Sequence, residues 1–313
     1  MASIPAIGPG KLSANSFAAK LEIKAPCRGF FLTAQKSRCP VPEDNKEQAD
    51  YWNDRAGNTW AELQERLDTL LKPLSEAGLR AANVQDGERV LDVGCGCGDT
   101  SIALAAAGGL VQGVDLSQPM LERAQARSNQ VEFIRGDAAS FTPKQPYDLI
   151  FSRFGVMFFT DPTSAFKHLH STLTGHGRLV FVCWQAPAAN PWMSITGRAI
   201  APYLPQSESP TDPTAPGPFA FADADHVHAI LSDSGFQNIR LNAFSAALHV
   251  GNDPQDALKL QTRVGPAARV MAELDGETRD QALDAARTAL AAHQADNGIH
   301  LDAAVWIVSA TAA

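Results

Sequence analysis

Two hydrophobic patterns alternate along the chain. Short, nearly unbroken apolar runs stand between longer stretches whose apolar positions repeat every three or four residues. The runs begin at Val90, Val111, Val131, Tyr147, Gly177, Asn238 and Ala303, and they predict seven strands. Helical periodicity covers Ser101–Ala107, Leu116–Arg127, Pro162–Leu173, Asp223–Ser234, Asp253–Arg263 and Gly276–His293. Strands separated by helices of this length imply right-handed βαβ crossovers and a parallel sheet. Ahead of the first strand, Trp60, Leu63, Leu67, Leu70, Leu71 and Leu74 recur at helical spacing. They predict a helical cap over residues 44–80, its main helix starting at Asn58 or Thr59. Residues 185–221 carry eight prolines and break the rhythm, so they read as an irregular cap on the substrate side.

Composition narrows the function. The chain has 313 residues, is 45% apolar and carries a net charge of −8, which argues against nucleic acid as a partner. No run reaches the length of a membrane-spanning helix. Five cysteines, two of them in a glycine-rich turn, suit a reducing compartment and a cytoplasmic protein better than a disulfide framework. The first 42 residues differ from the rest, with a net charge of +5 against −13 for the remainder. Residues 1–43 therefore read as a basic, disordered extension of a catalytic domain spanning 44–313. The same composition would suit an organelle-targeting peptide.

Chemistry concentrates at Val90–Thr100, Val-Leu-Asp-Val-Gly-Cys-Gly-Cys-Gly-Asp-Thr. A buried strand, a glycine turn and a helix N-terminus form a cradle in which backbone can approach a ligand closely. A dinucleotide fingerprint would need its third glycine where Asp99 stands, and an acid there repels pyrophosphate. Asp92, just before the turn, favours a cationic group. Cys95 and Cys97 lack a second ligand pair nearby and read as structural, with no metal site.

This stretch resembles motif I of class I S-adenosylmethionine (SAM)-dependent methyltransferases: an apolar pair, an acid, then Gly-x-Gly-x-Gly. The resemblance implies a Rossmann-like α/β fold with a seven-stranded, mostly parallel sheet, helices on both faces and an antiparallel last strand. It implies that Asp92 faces the methionine amino group and that Gly94, Gly96 and Gly98 bracket the methionyl chain and ribose. Asp115 would accept the ribose hydroxyls, Leu116 and Met120 would flank adenine, and Asp137 with Ala138 would read the adenine edge. Ser152, Arg153 and Phe154 fall where family members line the methyl-transfer centre.

With helices ahead of motif I, the chain further resembles the ubiquinone/menaquinone-biosynthesis-like group, and Asp161-Pro162, Gly177, Trp184 and Asn190-Pro191-Trp192 also resemble many small-molecule methyltransferases of unassigned substrate. Transfer to an O, N or C nucleophile of a small, partly apolar acceptor is the expectation. Tyr51, Trp52, Arg153, Phe154, Met157 and Trp192 are its candidate pocket. None of the eight histidines stands out as a base. Two alternatives carry less support: a SAM-binding protein without catalysis and an NAD-dependent oxidoreductase.

Overall fold

Among the described residues, helix precedes sheet. The computed structural model describes residues 45–204, 212–271 and 274–313. The extension expected at 1–43 lies outside them. Three helices come first: α1 (Lys46–Asn53), α2 (Arg55–Glu62) and α3 (Gln64–Ala82). Alternation then follows through β1 (Arg89–Val93), α4 (Asp99–Ala106), β2 (Leu110–Asp115), α5 (Gln118–Arg127), β3 (Glu132–Arg135), β4 (Tyr147–Arg153), α6 (Pro162–Ser171) and β5 (Leu173–Trp184). The C-terminal part comprises α7 (Pro191–Ile200), α8 (Ala224–Asp233), β6 (Gln237–Gly251), α9 (Pro254–Gln261), α10 (Pro266–Met271), α11 (Gly276–Ala291), β7 (Gln294–Ala295) and β8 (Gly298–Thr311).

The strands lie in the order β3-β2-β1-β4-β5-β8-β6. β8 runs antiparallel between β5 and β6, whereas β1 to β5 pair in parallel. This is the expected seven-stranded sheet, with the two-residue β7 added as a hairpin partner of β8. From β1 the chain moves outward through β2 and β3, then returns with β4 on the other side of β1. That reversal makes the carboxyl ends of β1 and β4 the topological switch point, where open α/β sheets bind ligands.

Alternate residues of the central strands feed opposite faces, as the pleat requires. Leu149, Phe151 and Val180 share a cluster with Val90 and Leu104 of α4. Ile150 and Phe181 point the other way, and Phe166 of α6 lies against Phe181, ring centroids 5.6 Å apart. Helix α3 buries Leu67, Leu70, Leu71 and Leu74, the positions its periodicity marked.

Three expectations change. The cap's main helix does not begin at Asn58 or Thr59, which lie inside α2; a separate turn at Leu63 starts α3. The segment expected to be irregular at 185–221, of which 205–211 lie outside the described residues, contains a helix: ten of its residues form α7 with Pro191 at its first turn, a position where the missing N–H costs nothing. β6 and β8 run well beyond the apolar cores that marked them, since half the positions of β6 face solvent and dilute its pattern. No described helix is long and apolar enough to cross a membrane.

Candidate cofactor and acceptor site

The glycine turn fills the switch point. Gly94, Gly96 and Gly98 all have positive φ, and Gly98 caps the N-terminus of α4 in the left-handed conformation. Gly94 also meets Gly155, which follows β4: a Cβ on Gly155 would stand 2.6 Å from the Val93 carbonyl and 2.9 Å from Gly94 Cα. Both contacts are backbone and cannot swing aside. Gly155→Ala is therefore expected to cost about 1–3 kcal/mol, the range for overpacking a tight site. An unchanged denaturant midpoint would show that the contact is not maintained.

Asp92 is fully buried beneath the turn. Its Oδ2 accepts hydrogen bonds from Thr100 Oγ1 at 2.8 Å and Ser101 Oγ at 2.6 Å. Its Oδ1 has no partner among the described residues. Burial pushes the carboxyl up to about 6, held back by the Ser101 and Thr100 hydroxyls and by the charge of Arg153. A buried carboxylate oxygen without a donor is costly, and the ammonium of an amino-acid ligand would relieve it. The residues thus fit a methionyl group.

At the end of β2, Asp115 is held by backbone on both oxygens. Gly96 N donates to Oδ2 and Ser117 N to Oδ1, each at 2.8 Å. Burial raises this carboxyl and the two N–H donors oppose the rise. Fixed in this way, its remaining lone pairs are free to accept ribose hydroxyls. Met120 is buried and covers Gly96, its Cε standing 2.8 Å from where a Cβ would be.

The cap closes over the same region. Asn53 Nδ2 donates to the Leu116 carbonyl at 2.9 Å, and its Oδ1 accepts from Gln118 N, a free N–H of α5, at 2.9 Å. Asn45 Nδ2 donates to Asp137 Oδ2 at 2.7 Å, while Ala139 N donates to Oδ1 at 2.9 Å. Gly57 lets α2 settle against this floor, for a Cβ there would lie 2.4 Å from Ser117 Oγ. Asn45 and Asn53 are absent from the sequence-derived site because a polar residue on a polar helix reads as solvated surface.

Three candidates have other duties. Ser152 is buried; its hydroxyl donates to the Val93 carbonyl at 2.8 Å and accepts from Gly155 N, so it staples β4 to β1 rather than facing a cofactor. Arg153 is spent on Asp99 Oδ2 at 2.9 Å and Ser75 Oγ at 2.6 Å, tying α3 to the start of α4. This pairing replaces its expected role in the acceptor pocket. Met157 is buried in the core, and its neighbour Phe158 meets Trp52 instead, with ring centroids 5.1 Å apart.

The other aromatic candidates converge in two groups. Tyr51, Trp52, Trp60 and Phe158 form edge-to-face contacts on the cap. Phe154, held at φ 65°, stacks on Trp184 at 4.0 Å, and Trp192 lies 5.1 Å beyond Trp184. Phe154 directly precedes Gly155, so this second group begins at the glycine contact. Phe158 is not named from the sequence, and Trp184 is named only within the family resemblance, not as a candidate for the pocket. The histidines of α6 are engaged elsewhere: His168 with the Phe141 carbonyl and His170 with that of Ala312.

The sheet order, the glycine turn and the acids at successive strand ends are those expected of a class I, SAM-dependent methyltransferase. Known proteins agree. Residues 90–177 match the family model described as a methyltransferase domain. The demethylmenaquinone methyltransferase of Staphylococcus saprophyticus is 25% identical over 234 residues, covering 66% of this chain and 98% of that protein. The trans-aconitate 2-methyltransferase of Klebsiella pneumoniae is 34% identical over 122 residues, covering 37% of this chain and 48% of that one. Among solved structures, the YcgJ protein of Bacillus subtilis superposes with a TM-score of 0.51 at 18% identity, covering 77% of this chain and 98% of that one, a likeness of fold. The protein is a SAM-dependent methyltransferase, with SAM as its cofactor. A binding protein without catalysis and an NAD-dependent oxidoreductase are not favoured.

Proposed function

We propose that the acceptor is a small, largely apolar aromatic molecule, methylated on O, N or C in the space flanked by Phe154, Trp184, Trp192 and the cap aromatics Tyr51 and Trp52. The stacked wall of Phe154 and Trp184, starting one residue from the glycine contact, is the observation that carries this reading. Two relatives suggest contrasting acceptors by name, a demethylated menaquinone and trans-aconitate. A tricarboxylate needs cations, and Arg153, which β4 delivers to this end of the sheet, is already neutralised by Asp99. The wall favours the menaquinone-like, aromatic class.

When bound, SAM supplies an activated methyl group on sulfur. The chain's own part is alignment. The buried turn fixes one partner, the aromatic wall orients the other, and the cap excludes water. Positioning of this kind accounts for roughly 7–11 kcal/mol of barrier in favourable cases. An apolar acceptor and the absence of a long apolar helix among the described residues are compatible with a cytoplasmic enzyme.

Incubating the full chain with methyl-labelled SAM and a reduced, demethylated naphthoquinone, with trans-aconitate in parallel, tests the reading. Mass spectrometry should find label on the aromatic acceptor alone. Label on trans-aconitate alone would overturn the acceptor class and leave the enzyme class standing.

A further inference from the structure

Five buried side-chain polar atoms have no hydrogen-bond partner among the described residues: Gln48 Oε1, Asp92 Oδ1, Trp192 Nε1, Ser194 Oγ and Thr196 Oγ1. Asp92 is explained by the cofactor. Three of the other four lie on α7, and native structures leave few such groups without a reason. Trp192 is 4% exposed and Thr196 is fully buried. Four residues apart, they share one face of the helix. Ser194 lies about 200° around the helix from both and belongs to another face.

The placement of α7 makes this face relevant. The helix follows the carboxyl end of β5, on the side of the sheet where β1 and β4 also end. The Trp192 ring lies beside Trp184, and through it beside Phe154. A helical threonine commonly returns its hydroxyl to the carbonyl four residues back. For Thr196 that carbonyl belongs to Trp192, and it already accepts from Gln261 Nε2 at 2.5 Å. The Thr196 hydroxyl is left free one turn from an indole N–H that can only donate.

We propose that Trp192 Nε1 and Thr196 Oγ1 form a donor pair that grips an oxygen of the methyl acceptor. The pair selects a planar aromatic molecule bearing a keto or phenolic oxygen over a carboxylate or phosphate. Both donors are neutral. Arg198 on the same helix is exposed and Arg153 is engaged by Asp99, so neither helps a buried anion. A fully charged oxygen between two neutral donors would be poorly compensated. The assignment rests on the aromatic-acceptor reading above and adds to it the polar group that fixes the ring's orientation.

Three probes on the full chain, preloaded with S-adenosylhomocysteine, test it: 1-naphthol, naphthalene and 1-naphthoate. Calorimetry should give 1-naphthol an affinity about tenfold above naphthalene, with 1-naphthoate weaker than 1-naphthol. Thr196→Val keeps the shape and removes the hydroxyl. It should weaken 1-naphthol by about three- to tenfold and leave naphthalene unchanged. Trp192→Phe should also narrow the naphthol preference, which guards against a misfolded single variant. The proposal is overturned if 1-naphthol has no advantage, if both variants keep that advantage, if 1-naphthoate binds best, or if no probe binds. Failure of S-adenosylhomocysteine itself to bind would instead sink the cofactor reading beneath it.

Discussion

Replacing Asp115 with alanine should raise the Kd for SAM by more than about a hundredfold, on the order of 3 kcal/mol. Removing a contact to the ribose accounts for only part of this. Asp115 also receives Gly96 N and Ser117 N, so its carboxylate ties the glycine turn to the first residues after β2. Without it, two N–H groups in a poorly solvated site lose an anionic acceptor, and the turn loses the contact that holds Gly96 in place. Asp115→Asn should show both effects in milder form. Its amide keeps one acceptor oxygen but presents N–H to a backbone donor, so affinity should fall while the apo-protein loses stability as well. Isothermal titration with SAM, paired with thermal unfolding of the apo-protein, reads both. An alanine variant that binds SAM as tightly as the parent would show that the acid has another task.

The sheet and the turn were readable from the chain because their physics is local. A strand buried on both faces must be apolar throughout, so β4 and the core of β5 announce themselves. A glycine turn between a strand and a helix N-terminus needs glycine at fixed positions, and Asp99 after Gly98 separates this turn from a pyrophosphate cradle. Side chains whose partners lie far along the chain were not legible. Arg153 and Ser152 looked like site residues because they stand at the right strand end. Their hydrogen bonds to Asp99, Ser75 and Val93 arise only when α3, α4 and β1 come together.

Elsewhere the local signals misled. Helix α7 was hidden among prolines, although Pro191 sits at its first turn, where proline favours a helix start. Asn45 and Asn53 carry no signal at all in their polar surroundings. Each becomes part of the site only because the cap folds across the ends of β2 and β3.

Asp92 makes the second large prediction, and its sign follows from burial. In the apo-protein the carboxyl is raised from 3.8 to about 6, chiefly because no water reaches it. Between about pH 4 and 6 the folded state therefore keeps a proton that the unfolded chain has released. The contribution of Asp92 to apo-protein stability, read as the difference between the parent and Asp92→Asn, should fall as pH rises through that window and level off above it. The total is on the order of 2–3 kcal/mol, from about two units at 1.36 kcal/mol each.

Binding should reverse the preference. An ammonium against Asp92 Oδ1 stabilises the ionised form, so SAM should bind more tightly as pH rises to about 6 and then with constant affinity. Complex formation should release a proton below that point. Calorimetry in buffers of different ionisation enthalpy counts that proton directly. Asp92→Asn should remove this component from both pH profiles and weaken SAM at pH 7.5 by tenfold to a hundredfold or more, because the amide offers N–H where the ligand's ammonium needs an acceptor. Should the parent and Asp92→Asn show the same change in apo-protein stability from pH 4 to 6, Asp92 would have to be ionised throughout, with a donor already satisfying Oδ1, and its role as the amino-group anchor would fail.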